Sequence, residues 1–151
     1  MEKEQYFEDY IVGNTRDTFG RTITETDIIF HAGHSGDYFP HHVDREFCKT
    51  QPFKKPIAHG TMTFAIGIGL TALEINPRAM SYGYDRLRFP NPVYAGDTIR
   101  TSVTIKAKEV DNKRPGFGRV IESKSVKNQN GKTVMYVEHL LIVEMKGEPK
   151  C

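Results

Sequence analysis

The chain has 151 residues, enough for one domain with a hydrophobic core; 38% of them are hydrophobic and 26% are charged. Its 21 Lys and Arg nearly balance 19 Asp and Glu, and the basic residues are scattered, which argues against a nucleic-acid-binding surface. The first residues are too polar for a signal peptide, and no apolar run reaches the roughly 18 residues that span a bilayer.

The cysteine content indicates a reducing compartment. Only Cys48 and Cys151 are present, which is too few for a disulfide framework. We therefore expect a cytoplasmic protein with no membrane association. Cys48 follows Phe47 on a predicted helix, so we expect it to be buried and inert rather than a nucleophile.

The first part of the chain contains several helix starts. Thr24 is a predicted N-cap with Asp27 three residues later, in the position of a capping box, and the helix is expected to end near Gly33. Asp44 is the predicted cap of another short helix. The predicted elements are, in order, a lead-in segment (6–13), a first strand (18–23), and two short helices (24–33 and 44–50).

Residues 59–75 predict a longer helix that is apolar around nearly its whole circumference and is therefore buried. The pattern then changes to period two, which indicates strands, and Asn130-Gly131 predicts a tight turn between the last two. This order predicts an α+β fold, with an antiparallel sheet wrapped around one long central helix, as a single domain over residues 1–151. The predicted strands cover 81–89, 97–110, 119–128 and 132–145.

One short run contains the parts of a proton-transfer site. Asp37 and His42 are five residues apart in Ser-Gly-Asp-Tyr-Phe-Pro-His-His, and Ala58-His59-Gly60 opens the long helix. A carboxylate and an imidazole can move a proton. The N–H groups of a helix N-terminus can stabilise a developing oxyanion. Asp37 alone would more often be a turn former, and His42 alone a surface or capping residue.

These residues resemble the hydratase signature of the MaoC-like dehydratases, which include the R-specific enoyl-CoA hydratases and have the hot-dog fold. The matching segments are Ser35–His42 and Pro56–Gly60, and the resemblance extends to Phe7–Gly13, which looks like the family's lead-in, and to Phe89–Asp97, which looks like its turn between two later strands. The resemblance therefore spans most of the chain. It implies a lyase that adds water reversibly to the double bond of a 2-enoyl-CoA thioester without a metal or redox cofactor.

The resemblance also implies roles for individual residues. Asp37 and His42 hold and activate one water, and the Gly60 N–H meets the thioester carbonyl. The family's spacing between the aspartate and the histidine selects His42 rather than His41. His59 is expected to shape the pocket rather than to take part in catalysis. The residues expected to contact substrate are Tyr38, Phe39, His59, Met62 and Ile68.

Two positions depart from the family pattern. Phe39 stands where many members have Asn, and Ile68 stands where R-specific enoyl-CoA hydratases tend to have Ser. One interpretation is a subgroup with a branched or dicarboxylic acyl substrate of the mesaconyl-CoA type. The other is a non-catalytic acyl-CoA-binding protein. The intact Asp37–His42 pair favours the first.

Three further possibilities are a zinc site, a thioesterase and a set of phosphate contacts. Four histidines between 31 and 42 raise the question of zinc, but their order lacks a metal-binding pattern. A thioesterase would place a carboxylate on the long helix, where none occurs before Glu74. Lys54 and Lys55, and the pair Arg86 and Arg88, are either contacts for CoA phosphates or solvated surface charges.

A homodimer is also expected. A single sheet wrapped on one helix leaves an edge strand open. Hot-dog proteins pair such edges and place the thioester tunnel between the two subunits. The expected partners are thus an acyl-CoA thioester and a second copy of the chain.

Overall fold

Four long strands and a ten-residue helix that packs on them form the centre of the fold. The computed structural model of the protein describes residues 4–72 and 76–147. The four long strands begin and end within two residues of their predicted bounds. The elements are β1 (Thr15–Asp17), β2 (Arg21–Thr22), α1 (Glu25–Ser35), α2 (Pro40–Val43), α3 (Arg45–Thr50), α4 (Gly60–Gly69), β3 (Ala79–Arg88), β4 (Thr98–Val110), β5 (Phe117–Lys127) and β6 (Thr133–Glu144), with a 3-10 turn at Phe7–Asp9.

All strand pairs are antiparallel, and the strand order is β1-β4-β5-β6-β3, with β2 also paired to β4. β3 therefore pairs with the last strand and lies at one edge of the sheet. The predicted α+β class and antiparallel sheet are confirmed. Among the described residues, no helix is long and apolar enough to cross a membrane.

The helix caps show which sequence signals decide the local structure. Thr24 and Asp27 form the predicted capping box, and the Asp44 carboxylate accepts the Phe47 N–H at 2.9 Å to start α3. Helix α1 runs two residues past Gly33, near which it was predicted to end, because Gly33 stays helical. Gly36 ends the helix instead, in the left-handed conformation at φ 78°.

The predicted first strand over 18–23 is also wrong in its bounds, since two short strands replace it. The Thr18 N–H donates to the Thr101 carbonyl between them. A Cβ on Gly20 would lie 2.9 Å from the Thr98 side chain, so the chain can run this close beside β4 because glycine has no side chain.

Helix α4 packs its middle onto the sheet. The Thr101 hydroxyl donates to the Gly67 carbonyl at 2.8 Å, and Val126 and Met135, both fully buried, lie beneath this glycine. The helix is shorter than predicted, because it ends at Gly69 with Leu70 as its C-cap. The predicted continuation through Leu73, Glu74 and Ile75 lies outside the described residues.

The prediction that this helix is buried all round is wrong within a single chain. Thr61, Ala65 and Gly69 form an exposed stripe at a spacing of four residues, whereas Met62 and Gly67 are buried against the sheet. A single sheet can cover only one side of a helix, so the other side of α4 stays exposed in one chain. The exposed stripe is apolar apart from Thr61, so a further helix, strand or chain could pack on it.

Candidate active site

The end of α1 positions the Asp37 carboxylate. Gly36 turns the chain sharply, and the Asp37 N–H then donates to the Ser35 hydroxyl at 3.2 Å. The Asp37 carboxylate in turn accepts the Phe39 N–H at 3.2 Å, a local bond typical of Asp in turns. Pro40 begins α2 at its first position, where a missing N–H carries no penalty.

The His42 ring has a defined orientation and tautomer. Its Nδ1 lies 2.8 Å from the Ile57 carbonyl oxygen, and because a carbonyl only accepts, Nδ1 must carry the proton. In the neutral ring the lone pair is then on Nε2, which lies 3.9 Å from Asp37 Oδ2. That separation is too long for a direct hydrogen bond and is suited to a water that contacts both atoms.

His59 joins these two residues to the start of α4. Its ring is buried and stacks on the His42 ring, with the centroids 3.7 Å apart. Its Nε2 donates to the Asp37 carbonyl at 2.9 Å, so that bond holds the Asp37 loop. His59 therefore positions both members of the pair. This contact has no direct signal in the sequence, since 22 residues separate the two partners.

Gly60 is the first residue of α4, and the cap position before it supplies no side-chain hydrogen bond. The N–H groups of the first helical turn have no partner inside the helix, so they are available to an oxyanion. A Cβ on Gly60 would lie 2.9 Å from the Phe89 ring. Packing against Phe89 is thus a second reason for glycine here.

The other residues predicted to contact substrate lie in three different places. Tyr38 and Phe39 are exposed beside the Asp37 loop, while Met62 is in the hydrophobic core. Ile68, at the far end of α4, lines a separate cavity of about 440 Å³. Only Asp37, His42, His59 and Gly60 come together, so substrate contact by Tyr38, Phe39, Met62 and Ile68 stays a prediction.

His41 points away from this cluster. Its ring packs among Phe39, Phe47 and Phe53, with centroid distances of 4.6, 5.4 and 5.1 Å. The family spacing that selected His42 over His41 therefore agrees with the side-chain directions. Cys48 is buried, and burial raises the pKa of its thiol, which leaves it protonated at neutral pH.

A second cavity, of about 330 Å³, begins at His42 and has a basic lining. Arg45, Lys49, Lys54 and Lys55 contribute four cations, and Glu25 contributes one carboxylate, which pairs with Arg45. Lys54 has a positive φ of 63°, which is uncommon for a residue with a side chain. Of the predicted phosphate contacts, Lys54 and Lys55 thus lie beside the candidate site, while Arg86 pairs with Glu138.

The same cluster raises the question of a metal ion, because potential ligand atoms of Asp37, His42 and His59 lie within 4.8 Å of one another. Imidazole lone pairs lie in the ring plane, and zinc requires each nitrogen at about 2.0–2.1 Å. The His42 and His59 rings are stacked with an angle of 22° between their planes. Their lone pairs therefore do not converge on one ion, and the residues do not fit a metal centre.

Comparison with known proteins places the chain in a family. The sequence profile of the MaoC-like domain family matches residues 9–129. The chain belongs to the MaoC-like domain family. It is similar to the (R)-specific enoyl-CoA hydratase of Rhodospirillum rubrum, with 30% identity over 142 residues that cover 94% of each chain. It is 36% identical over 111 residues to the Protein MaoC of Klebsiella aerogenes, covering 73% of this chain but only 33% of that protein.

Solved structures agree with the fold described above. A monoamine oxidase regulatory protein from Archaeoglobus fulgidus superposes with a TM-score of 0.89 at 31% identity, covering 97% of this chain and 98% of that one. A MaoC-like dehydratase from Rhodospirillum rubrum gives 0.84 at 26% identity, covering 95% and 99%. A Mycobacterium tuberculosis protein with a double hot-dog fold matches 98% of this chain and 46% of its own length, with a TM-score of 0.81 at 20% identity. The predicted hot-dog fold is confirmed.

Proposed function

We propose that this protein catalyses the reversible hydration of a 2-enoyl-CoA thioester. The observation that carries the proposal is the geometry of one pair: the bond to Ile57 leaves the His42 Nε2 lone pair facing the Asp37 carboxylate at 3.9 Å. Membership of the MaoC-like family and similarity to a protein named (R)-specific enoyl-CoA hydratase support it.

In the proposed reaction, one water bound between Asp37 and His42 attacks C3 of the substrate. The oxygen of the water forms a bond to C3, and one water proton passes to the pair. The pair returns a proton to C2, so it ends in its starting state. General acid–base catalysis of this kind contributes about 10²–10⁴-fold to the rate, and it needs no metal or redox cofactor.

Negative charge develops on the thioester carbonyl oxygen during this addition. The Gly60 N–H at the start of α4 is the proposed donor to that oxygen, since it belongs to a helix N-terminus that His59 holds beside His42. An oxyanion donor typically lowers the barrier by about 3 kcal/mol. Tyr38 and Phe39, which are exposed next to this site, are proposed to contact the substrate.

The CoA portion is proposed to lie along the basic cavity that begins at His42. Lys54 and Lys55 at its rim carry the charge that diphosphate and phosphate groups require. The thioester would then be next to the imidazole and the phosphates next to the lysines. The cytoplasmic location stays a prediction from the cysteine content.

We propose that the functional unit is at least a homodimer. β3 is an edge strand in the described sheet, and Met80 and Tyr82 on it are more than half exposed. A second copy paired along β3 satisfies the open edge.

A panel of 2-enoyl-CoA substrates tests the activity. The wild type is expected to hydrate at least one straight-chain, branched or dicarboxylic member, and chiral analysis of the 3-hydroxyacyl product gives the stereochemistry. Asp37→Ala is expected to lose hydration while it still binds acyl-CoA. A wild type that hydrates no member of a broad panel but binds acyl-CoA would show a non-catalytic binding protein.

A further inference from the structure

A cavity at the end of α4 opposite the candidate active site contains side chains that the proposed hydration does not use. It has a volume of about 440 Å³ and lies between the end of the helix, at Ile68, and the sheet. Ser81 on β3, Glu122 on β5 and His139 on β6 all line it. A hydroxyl, an imidazole and a carboxylate are the groups from which proteins build an activated serine.

The His139 side chain lies between the other two groups. Its Nε2 is 2.8 Å from the Ser81 hydroxyl, and its Nδ1 lies 3.7 Å from Glu122 Oε2. Both His139 and Glu122 are buried, and Nδ1 has no hydrogen-bond partner in the described part of the chain. The three groups therefore stand in the order hydroxyl, imidazole, carboxylate, with one ring nitrogen towards each neighbour.

The charge of Glu122 selects the tautomer of His139. Burial acts to raise the pKa of the Glu122 carboxyl, but the nearby His139 and Lys124 side chains act against burial, and that pKa is below its usual value. Glu122 is thus ionised at neutral pH. A carboxylate only accepts hydrogen bonds and would repel a lone pair on Nδ1, so Nδ1 carries the proton. The lone pair is then on Nε2 and accepts the Ser81 O–H, which is the arrangement in which an imidazole can act as base for a serine.

The local shape of β3 brings Ser81 to this ring. The register between β3 and β6 shifts between Ser81 and Gly83, and irregularities of this kind re-aim side chains and are frequent beside active sites. Beyond the shift, the Tyr84 ring stacks on the His139 ring with the centroids 4.4 Å apart, which fixes the orientation of the imidazole. Ser81 itself is exposed, so a substrate can reach its hydroxyl.

Packing alone does not account for the charged members of this set. Glu122 and Lys124 are both buried on β5, on the face that carries apolar residues elsewhere along the strand. Lys124 Nζ lies 3.1 Å from Glu122 Oε2 and donates to the Thr71 hydroxyl at 2.9 Å. A well-packed apolar pair is often at least as stable as a buried ion pair. The lysine does, however, keep the buried carboxylate ionised, as a carboxylate that orients an imidazole must be.

We propose that Ser81 is a nucleophile that hydrolyses carboxylic esters, with His139 as its general base and Glu122 as the residue that positions the imidazole. The Ser81 oxygen forms a bond to the ester carbonyl carbon, and its proton passes to His139 Nε2. The ester C–O bond breaks, the leaving alcohol takes that proton, and the acyl group stays on Ser81. Water then attacks the acyl group in the same way, which releases the carboxylic acid and returns the proton to Ser81.

The position of this site favours an ester without a CoA group. The basic cavity proposed to hold CoA begins at His42, beside the start of α4, whereas Ser81 lines the cavity at the other end of the helix. A volume of about 440 Å³ is within the range of small-molecule sites. The inference is therefore independent of the proposed hydration and uses none of its residues.

A fluorophosphonate, which reacts covalently with activated serines, tests the inference on the wild-type protein. Mass spectrometry of a peptide digest is expected to find the label on Ser81. p-Nitrophenyl butyrate is the matching substrate. Ser81→Ala removes only the hydroxyl and His139→Gln removes the base, so each is expected to lower kcat/KM for this ester at least about 10²-fold. Ser81→Ala is also expected to abolish labelling.

The matched control is Ser123→Ala. Ser123 lies on β5 next to Glu122, but its side chain has the opposite parity along the strand, and its hydroxyl lies 3.5 Å from the Thr104 carbonyl oxygen. Ser123 does not line the cavity. This variant is expected to keep both the label and the ester hydrolysis of the wild type.

Glu122→Gln combined with Lys124→Met tests the positioning role, because it removes the carboxylate together with its buried partner. Labelling of Ser81 is expected to slow at least about tenfold in the folded double variant, since the imidazolium loses its stabilising charge. A wild type that carries no label on Ser81, or ester hydrolysis that survives Ser81→Ala, would overturn the inference. An unchanged labelling rate in the double variant would overturn the role of Glu122.

Discussion

Replacing Gly67 by alanine tests how tightly α4 packs on the sheet. A Cβ at this position would lie 2.6 Å from Val126 Cγ2 and 3.4 Å from Met135 Cε. Both partners are fully buried, so neither can move away without disturbing the core. Overpacking of this kind costs roughly 2–3 kcal/mol, and the higher helix propensity of alanine offsets about 1 kcal/mol. We expect a net loss of roughly 1–2 kcal/mol in the free energy of unfolding.

The control is Gly69→Ala, two residues later on the same helix. No atom lies within 4 Å of a Cβ built there, so alanine is expected to leave stability unchanged or to raise it by up to about 1 kcal/mol. Urea unfolding at one protein concentration measures both variants, with an unchanged m value as the sign of a pure stability effect. Gly67→Ala that is as stable as the wild type would refute the packing argument, and so would Gly69→Ala that is the less stable variant.

Four further outcomes follow from the structure. Asp27→Asn is expected to cost about 1 kcal/mol at pH 7. Burial acts to raise the Asp27 pKa, but hydrogen bonds from Thr24 outweigh burial and hold this pKa below 3.8. The difference in the free energy of unfolding between Asp27→Asn and wild type should therefore persist above pH 4 and disappear in stronger acid. A difference that does not depend on pH would contradict this. Dialysis against a chelator should leave hydration unchanged, and a loss that zinc restores would show a metal site. Lys54→Ala with Lys55→Ala should raise KM for enoyl-CoA severalfold at low salt and less at high salt, whereas an unchanged KM would remove these lysines from CoA binding. Light scattering should give at least twice the 17.2 kDa chain mass, and a monomer would contradict the dimer.

Local signals in the sequence were sufficient for most of the fold. Thr24 and Asp44 act as helix caps because each has a short side chain that accepts a nearby N–H. The period-two pattern located the four long strands because each buries one face. The helix ends were harder to predict, since both Gly33 and Gly36 suit a C-terminus and only the tertiary turn towards Asp37 selects Gly36.

Four of the residues predicted for the candidate site lie together in the structure, but the contacts between them could not be predicted from the sequence. The spacing of Asp37 and His42 indicated the pair, while the bond from His59 to the Asp37 carbonyl depends on how α4 meets the loop. The charged lining of the cavity of about 440 Å³ beside Ile68, which includes Glu122 and Lys124, was not predicted. Glu122 and Lys124 have the same parity along β5 as Val120 and Val126, yet a strand with charges on one face is normally solvated there. Only the tertiary structure shows that this face is covered.

The most direct measurement of the central claim is hydration of crotonyl-CoA, or of the best substrate in the panel, by two neighbouring variants. His42→Gln removes the nitrogen that faces Asp37, whereas His41→Gln changes a ring that packs among Phe39, Phe47 and Phe53. With both variants folded by circular dichroism, kcat is expected to fall about 10²–10⁴-fold for His42→Gln and to stay within a few-fold of wild type for His41→Gln. Equal activity of the two variants would contradict the role of the Asp37–His42 pair.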